Sequence, residues 1–395
     1  MRGYSMETLE AFHYVLKGLG GWTSELVKYY LEIITGLVGL LFVSMKAYAF
    51  GRDRLLRKVQ LFMLGDEGFW DRKPRTNMGK HIRTLRDSVP VIMVANYKGG
   101  VAKSTVVANL GAYFDSIGIR VLLIDFDYQG TLTDAVINTD GKLKFGAVDL
   151  IEPMKSAAEV LEKSEQPLPH YKRSRIFASS YTFSRTENRV VFRWLVGEDT
   201  DDVRYRLHGF LSSDVVQSRF DLVLIDCPPR LMTATANAVC ASTHVLVPTI
   251  LDDLSTSAAI NTIASIRKLR DTLSPTLRIL GVVPTFVQMK TKFNRRELEA
   301  LDFLKTELKE RFESSDEKSI ILFEQQRILR KEAIAVAAGQ TVPYFENGEI
   351  RSIFTELGMA IAKELGGTIA EAANAGEGTD RGVGASDDSL VVLRR

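Results

Sequence analysis

The sequence predicts an α/β fold, in which helices cover both faces of a mostly parallel sheet. Short apolar runs rich in β-branched residues recur between residues 89 and 286, and amphipathic stretches with helical periodicity separate them. Alternating strands and helices of this kind are typical of parallel sheets, whose strands are buried on both faces. The predicted strands are 89–95, 120–125, 220–226, 244–249 and 279–286, and the predicted covering helices are 102–117, 256–272, 295–312 and 351–365.

The length indicates one large domain with an appendage, because 395 residues exceed a typical domain. With 45% hydrophobic and 25% charged residues, the chain has the composition of an ordinary globular protein. We divide it into a helical N-terminal region, 1–64, a basic linker, 65–88, and a main domain, 89–366. The tail, 367–395, is rich in Gly, Ala and acidic residues, and we expect it to be disordered.

The N-terminal region contains one candidate transmembrane helix, at about residues 31–50. Residues 33–45 carry no charge, and apolar residues resume after Lys46. A membrane span needs about 20 mostly apolar residues. Basic residues at 52–58 would then leave the main domain in the cytoplasm, by the positive-inside rule. The sequence equally allows a helix that packs on the apolar residues at 55–62 or mediates dimerisation.

Charge and cysteine content point to the cellular setting. Lys and Arg outnumber Asp and Glu in residues 1–90, although the net charge of the whole chain is only +2. Such a basic region suits an anionic surface, either lipid headgroups or nucleic acid, or forms a solvated linker. The two cysteines, Cys227 and Cys240, are too few for a disulfide framework and lack metal-ligand spacing. A reducing, cytosolic environment is the natural inference.

A phosphate-binding loop follows the first predicted strand. The segment YKGGVAKST at residues 97–105 leads directly into a helix. In this order, backbone N–H groups of the loop and the helix N-terminus point at the phosphates, and a lysine neutralises their charge. We assign that lysine to Lys103 and the hydroxyl ligand of magnesium to Ser104. The predicted nucleotide-binding residues are Gly99, Gly100, Val101, Ala102, Lys103, Ser104 and Thr105.

Two later strands end in carboxylates. VLLIDFDYQG contains Asp125 and Asp127, and FDLVLIDCPPR places Asp226 before two prolines. Carboxylates at the C-terminal ends of parallel strands can reach the crevice outside the sheet. An aspartate after an apolar strand also typically engages magnesium, usually through water. The sequence therefore predicts a P-loop NTPase, with a mostly parallel sheet covered by helices on both faces and an N-terminal helical appendage.

Together, these segments resemble the deviant Walker A ATPases of the ParA/MinD family. The standard pattern G-x-x-x-x-G-K-[ST] fails here, but Lys98 matches the signature lysine of that family. The resemblance covers residues 88–366. It implies ATP and Mg2+ as cofactors and a homodimer in the ATP state, with Lys98 reaching the nucleotide of the partner subunit. Adenine rather than guanine is implied by the resemblance alone.

The resemblance also implies roles for the carboxylates. Asp125 and Asp226 would hold the magnesium shell together with Ser104, while Lys98, Lys103 and Asp127 would be catalytic, with Asp127 orienting the attacking water.

Three positions depart from the family pattern. Ala102 replaces the more usual glycine, which we expect to be tolerated only if its φ stays negative. Tyr128 stands where proline is usual. Arg230 stands where a small residue is commoner, and the sequence leaves open whether it contacts nucleotide, a partner or only solvent.

The implied function is a ParA-like ATPase that dimerises on ATP and hydrolyses it slowly, as a switch for partitioning or positioning a cargo. An unidentified protein partner would stimulate hydrolysis. Nonspecific DNA binding through phosphates is one open possibility. A membrane-anchored MinD-like regulator that recruits a protein partner is a second, and a nucleotide-binding module with little turnover a third. The candidate DNA-binding residues are Arg295, Arg296, Arg327, Arg330 and Lys331.

Two related classes are disfavoured. A bacterial tyrosine kinase would carry a C-terminal tyrosine cluster, whereas no tyrosine follows Tyr344. An iron–sulfur reductase would need exposed cysteine ligands, whereas Cys227 and Cys240 lie in apolar contexts that fit small core residues.

Overall fold

The computed structural model divides the chain into two compact units, Met1–Phe69 and Trp70–Arg395. The described residues are 24–63, 70–71, 74, 89–137, 146–153, 156–289, 291–312, 319–330 and 342–380. Most of the predicted basic linker, 65–88, lies outside them, as do Lys331 and the end of the predicted tail, 381–395.

The first unit contains one long helix, α1, Ser24–Met63. Its 40 residues span about 60 Å at 1.5 Å per residue. The segment Lys28–Tyr48 is apolar and long enough to cross a membrane, and none of it is buried. The predicted 31–50 stretch is therefore helical. The alternative in which this stretch packs on residues 55–62 is contradicted, because α1 continues without a break through both segments.

The second unit is built on one eight-stranded sheet in the order β3-β4-β2-β5-β1-β6-β7-β8. All neighbouring strands are parallel except the β3–β4 pair. The strands are β1 Val91–Val94, β2 Val121–Asp125, β3 Glu165–Pro167, β4 Arg175–Phe177, β5 Leu222–Asp226, β6 His244–Ile250, β7 Arg278–Thr285 and β8 Ile321–Leu322.

Helices connect these strands. They are α2 Lys103–Ser116, α3 Thr131–Val136, α4 Ala157–Ser164, α5 Thr182–Leu195, α6 Arg206–Leu211, α7 Asp214–Arg219, α8 Thr233–Ala241, α9 Asp253–Leu273, α10 Arg295–Phe312, α11 Pro343–Glu346, α12 Gly348–Leu365 and α13 Gly367–Asp380. Two 3-10 turns, Ala147–Leu150 and Val203–Tyr205, complete the connections among the described residues.

The central strands form because their sequences are apolar throughout. Every residue of β1, β2 and β5 is buried, including the terminal aspartates of β2 and β5. Continuous burial is what covering helices on both faces impose on a parallel sheet. The predicted α/β fold, its five strands and its four covering helices are confirmed, with shifts of a few residues at their ends.

The edges of the second unit differ from the prediction. Its compact unit begins at Trp70 rather than at residue 89. Trp70 is buried, and Arg204 donates a hydrogen bond of 2.8 Å to its carbonyl oxygen. At the other end, the prediction of disorder from residue 367 is wrong for 367–380. These residues form α13, which packs on α12 and buries Ile369 and Ala373.

The helix that follows the phosphate-binding loop is held by α12. Gly358 of α12 lies against the ring of Tyr113 in α2, and a Cβ atom added there would lie 2.1 Å from Tyr113 Cδ1. Both residues are buried. The close approach of the two helices therefore depends on the missing side chain.

We predict that Gly358→Ala lowers the free energy of unfolding by about 1–3 kcal/mol, as overpacking of a core does. The matched control is Gly209→Ala in α6, where nothing lies within 4 Å of the added Cβ atom. That variant gains helix propensity of up to about 1 kcal/mol. Chemical denaturation of both variants measures the difference, and equal stabilities would contradict the packing argument.

Candidate nucleotide-binding site

The sheet brings the three predicted motifs to one edge. Asp125 at the end of β2 is the ladder partner of Asp226 at the end of β5. Asp226 is in turn the partner of Val94 at the end of β1. The phosphate-binding loop leaves β1 directly after this point and leads into α2. The structure therefore places the loop and both strand-end carboxylates together, where ligands bind in open parallel sheets.

The loop contains two residues in the left-handed region. Gly100 has φ 74° and Ala102 has φ 67°. The expectation that Ala102 keeps a negative φ is therefore wrong. The physical reason is that Ala102 is the N-cap of α2, where the chain must reverse from the loop into the helix. A Cβ atom in this region costs roughly 1–2 kcal/mol.

Lys103 lies at the centre of the site. Only 7% of the residue is exposed, and its Nζ donates to the carbonyl oxygen of Lys98 at 3.1 Å. Burial lowers the pKa of Lys103, while the charges of Asp226 and Asp127 act to raise it. The charges of both carboxylates thus act on Lys103, the lysine that was assigned to the phosphates.

Lys98 is held within its own subunit. Its Nζ donates to Ser255 Oγ at 2.7 Å and to Asp252 Oδ1 at 3.3 Å. Asp252 is the N-cap of α9 and accepts from the backbone N–H of Ser255. Neither partner of Lys98 was predicted from the sequence. An aspartate three residues before a serine at a helix start is the capping pattern that could have indicated this end of α9.

Asp226 is buried, with the hydroxyl of Ser104 close to its carboxylate. It is 0% exposed, and neither of its carboxylate oxygens has a partner of normal hydrogen-bond geometry among the described residues. Burial raises the pKa of Asp226, while Ser104 and the charge of Lys103 act to lower it. A buried, unpaired carboxylate is costly unless a cation or a donor compensates it. Its oxygens are thus available to a metal ion or its water shell.

Asp125 is engaged differently. Its Oδ2 accepts from the backbone N–H and the hydroxyl of Thr133, at 2.9 and 2.7 Å, and its Oδ1 accepts from the N–H of Asp127 at 3.0 Å. Burial, followed by the charge of Asp226, raises the pKa of Asp125 well above its usual range. Asp125 therefore fixes the start of the loop that carries Asp127. Its contact with magnesium stays a prediction, as does the role of Asp127.

The donor set fits a magnesium ion shared with phosphate groups better than a metal ion held by protein side chains alone. Among the described residues, no group of three His, Cys, Asp or Glu side chains could hold a metal ion alone. Magnesium is usually bound by one or two carboxylates together with phosphate oxygens and water. Asp226, with its unpartnered oxygens, and the neighbouring hydroxyl of Ser104 match that requirement.

The remaining candidates are the two cysteines and the arginines predicted to bind DNA. Both cysteines are buried, as predicted for small core residues. Arg295 and Arg296 lie at the start of α10, where Arg295 pairs with Glu299 at 2.9 Å. Arg327 lies over the ring of Phe293 at 4.1 Å. Nucleic-acid binding by these residues stays a prediction.

We predict that Ala102→Gly stabilises the nucleotide-free protein by about 0.5–1 kcal/mol. Removing the Cβ atom relieves the left-handed strain, and the greater freedom of glycine in the unfolded chain offsets part of the gain. The control is Ala158→Gly, on the exposed side of α4, where the same change loses about 0.5–1 kcal/mol. Urea unfolding of the two variants checks the opposite signs, and a loss at both positions would refute the strain.

Comparison with known proteins agrees with this geometry. The AAA_31 family model, described as an AAA domain, matches residues 89–279. An uncharacterized Mycobacterium tuberculosis protein is 32% identical over 234 residues, which are 59% of this chain and 69% of that protein. The chromosome-partitioning ATPase Soj of Thermus thermophilus is 30% identical over 208 residues, covering 52% of this chain and 73% of Soj.

A solved structure shares the fold. An ATP complex of McdA from Cyanothece superposes with a TM-score of 0.55 at 18% identity, covering 73% of this chain and 97% of that one. Low identity limits this likeness to the fold. The sequence relatives, together with the three motifs at one sheet edge, show that the chain belongs to the ParA/MinD family of P-loop ATPases.

Proposed function

We propose that this protein is an ATP-driven switch, which binds ATP and Mg2+, dimerises in the ATP state and hydrolyses ATP slowly. The observation that carries the proposal is the pair of unpartnered, buried oxygens of Asp226 beside Lys103. A desolvated carboxylate next to a desolvated lysine, at the mouth of a phosphate-binding loop, suits a ligand that brings both a cation and an anion. Magnesium-bound ATP has that chemistry.

The chain's own residues supply positioning and charge, which are what phosphoryl transfer chiefly requires. Lys103 would neutralise the β- and γ-phosphates, and the backbone N–H groups of 99–105 would donate to them. Asp226, Asp125 and Ser104 would hold the magnesium ion, whose positive charge would offset the negative charge of the phosphates. Asp127, on the loop that Asp125 fixes, orients the attacking water.

Lys98 supplies the link between nucleotide and dimer. It is bound here by Asp252 and Ser255, which are both near the start of α9. We propose that it exchanges these contacts for the nucleotide of the partner subunit in the ATP dimer. The ion pair is half-exposed and inexpensive to break, since such pairs contribute about 0–1 kcal/mol.

The relatives suggest how the switch is used. Soj of Thermus thermophilus is a chromosome-partitioning ATPase, and ParA of Caulobacter vibrioides is a chromosome partitioning protein. By that likeness, we propose that the ATP dimer partitions or positions a cargo, with a protein partner that stimulates hydrolysis. Nonspecific binding to DNA phosphates by exposed arginines such as Arg295 belongs to this proposal.

One observation favours a second candidate function, a membrane-tethered regulatory ATPase. The segment Lys28–Tyr48 of α1 has a mean hydropathy of 1.6, and its large apolar side chains are exposed. Its threonine and serine hydroxyls are satisfied within the helix, since Thr35 and Ser44 donate to the carbonyl oxygens of Leu31 and Leu41. A helix in lipid requires such internal satisfaction.

The first test is nucleotide loading. We expect ATP with magnesium to raise the free energy of unfolding of the wild type by about 2.7 kcal/mol at one hundred times the Kd. Lys103→Ala should show no such gain. Asp226→Asn should be more stable than the wild type without ligand, because a neutral amide is cheaper to bury. It should also lose the magnesium-dependent part of the gain. Equal magnesium dependence in Asp226→Asn and wild type would refute the metal assignment.

The second test is dimerisation. We expect Asp127→Ala to accumulate as a dimer with ATP and magnesium, because binding continues while hydrolysis stops. Lys98→Ala should bind ATP yet remain monomeric under the same conditions. Light scattering coupled to gel filtration of a soluble fragment from residue 70, the start of the second compact unit, measures both, provided that circular dichroism shows it folded. A Lys98→Ala dimer as stable as that of Asp127→Ala would contradict the role of Lys98.

The third test separates the two candidate functions by imaging a C-terminally tagged protein in cells. A peripheral rim for wild type, Asp127→Ala and Lys103→Ala alike would support the tethered regulator. Introducing two lysines by Leu37→Lys and Leu41→Lys should then abolish the rim, since a charge at mid-span costs about 2.5–3.5 kcal/mol. A nucleoid signal that needs ATP binding would instead favour the DNA-binding partition ATPase and exclude the tether.

A further inference from the structure

Two departures from the family pattern, far apart in the sequence, lie in contact in the structure. The guanidinium carbon of Arg230 lies 4.7 Å from the centre of the Tyr128 ring. Arg230 follows the strand-end carboxylate Asp226 on β5, and Tyr128 follows Asp127 on the neighbouring β2 segment. The contact therefore joins the two loops that leave the site from adjacent strands.

Two hydrogen bonds hold Arg230. Its Nη2 donates to Glu187 Oε2 at 3.1 Å, and its carbonyl oxygen accepts from Thr235 Oγ1 at 2.6 Å. Glu187 lies on α5, is 1% exposed and also accepts from the N–H of Ala234 at 2.9 Å. One buried carboxylate thus binds both the arginine and the start of α8. The single charge-assisted hydrogen bond to this buried carboxylate restrains the guanidinium of Arg230.

Arg230 reaches the loop of Asp127 through the ring of Tyr128. The backbone of this loop is held at its start by Asp125 Oδ1, and Gly130 N–H closes the turn on the carbonyl oxygen of Asp127 at 2.9 Å. Between these points, the side chain of Tyr128 makes ring contacts, with Arg230 on one side and Tyr181 at 6.4 Å between centroids. Tyr181 itself is 75% exposed and offers little restraint. Of the two ring contacts of Tyr128, the one with Arg230 is therefore the more restrained.

We propose that Arg230, held by Glu187, is a positioning residue for hydrolysis, which keeps Asp127 in place by stacking on Tyr128. The proposal rests on the proposed ATPase function. Arg230 acts through the Tyr128 ring and not through the nucleotide. Its loss lowers turnover and leaves nucleotide affinity intact.

The test measures kcat and KM for ATP in the full-length protein. We expect Arg230→Ala and Tyr128→Ala each to lower kcat about tenfold and to leave KM within twofold, because the lost stacking affects only the alignment of water. The double variant should lose no more than either single one, since both remove the same contact. Tyr128→Phe, which keeps the ring, should restore most of the turnover.

Arg193→Ala is the matched control. Arg193 lies on α5, has the same exposed side-chain fraction of 37% as Arg230 and pairs with Asp199 at 3.0 Å. Its loss should leave kcat unchanged. A raised KM with normal kcat in Arg230→Ala would mean that Arg230 binds the nucleotide directly. Either that result or additive losses in the double variant would overturn the proposal.

A second readout does not depend on turnover. Amide hydrogen exchange of the peptide containing residues 127–130 should rise about tenfold in nucleotide-free Arg230→Ala, because the loop opens more often. The same peptide should be unchanged in Arg193→Ala. If the wild type binds ATP without hydrolysing it, the proposed ATPase function fails while this measurement still decides the positioning role. Unchanged exchange in Arg230→Ala would refute that role.

Discussion

The buried carboxylate of Asp226 is the constraint on which the site depends. It ends a strand that lies between β1 and β2, so the fold takes it out of water whether or not a ligand is present. A desolvated charge without a hydrogen-bond partner costs free energy that a cation can offset. The buried carboxylate therefore lowers the stability of the nucleotide-free protein. A ligand that brings a cation would offset this loss, so ligand binding and stability are coupled.

Residues around Asp226 are also held in arrangements that cost free energy. Ala102 accepts a left-handed backbone so that the loop can turn into α2, and Lys103 is buried against two carboxylates. Lys98 differs from both, because a half-exposed contact with Asp252 holds it. Ala102 and Lys103 thus form a fixed part of the site that suits phosphate binding. Lys98, which is held more weakly, can exchange its contacts for those with a partner. A switch requires such a division between a fixed site and an element with two arrangements.

The long helix α1 belongs to the other compact unit of the chain. Large apolar side chains along residues 29–48 are exposed, and contiguous exposed apolar surface usually marks an interaction site. Lipid or a second copy of the helix would cover it. In either case the ATPase unit would be confined to a surface or brought close to another copy. Confinement raises the effective concentration of subunits and so favours an ATP-dependent dimer.

The sequence by itself determined the fold class, the five central strands and the identity of the phosphate-binding loop. These features depend on local patterns, namely continuous apolar runs, helical periodicity and glycine next to lysine, which act over a few residues. It also located Asp125, Asp127 and Asp226, because strand-end carboxylates of a parallel sheet must meet at one edge.

Only the tertiary structure decided what these residues touch. The partners Asp252 and Glu187 come from distant segments, and nothing in their local sequence reveals the contact. Thr133 lies only eight residues after Asp125 but meets it through the turn into α3. The short strands β3, β4 and β8 were likewise missed, since two or three residues carry no periodicity and form by pairing with an existing edge. The sign of φ at Ala102 was mispredicted for a related reason. Backbone conformation there follows from the direction of α2, which packing against the sheet and α12 imposes.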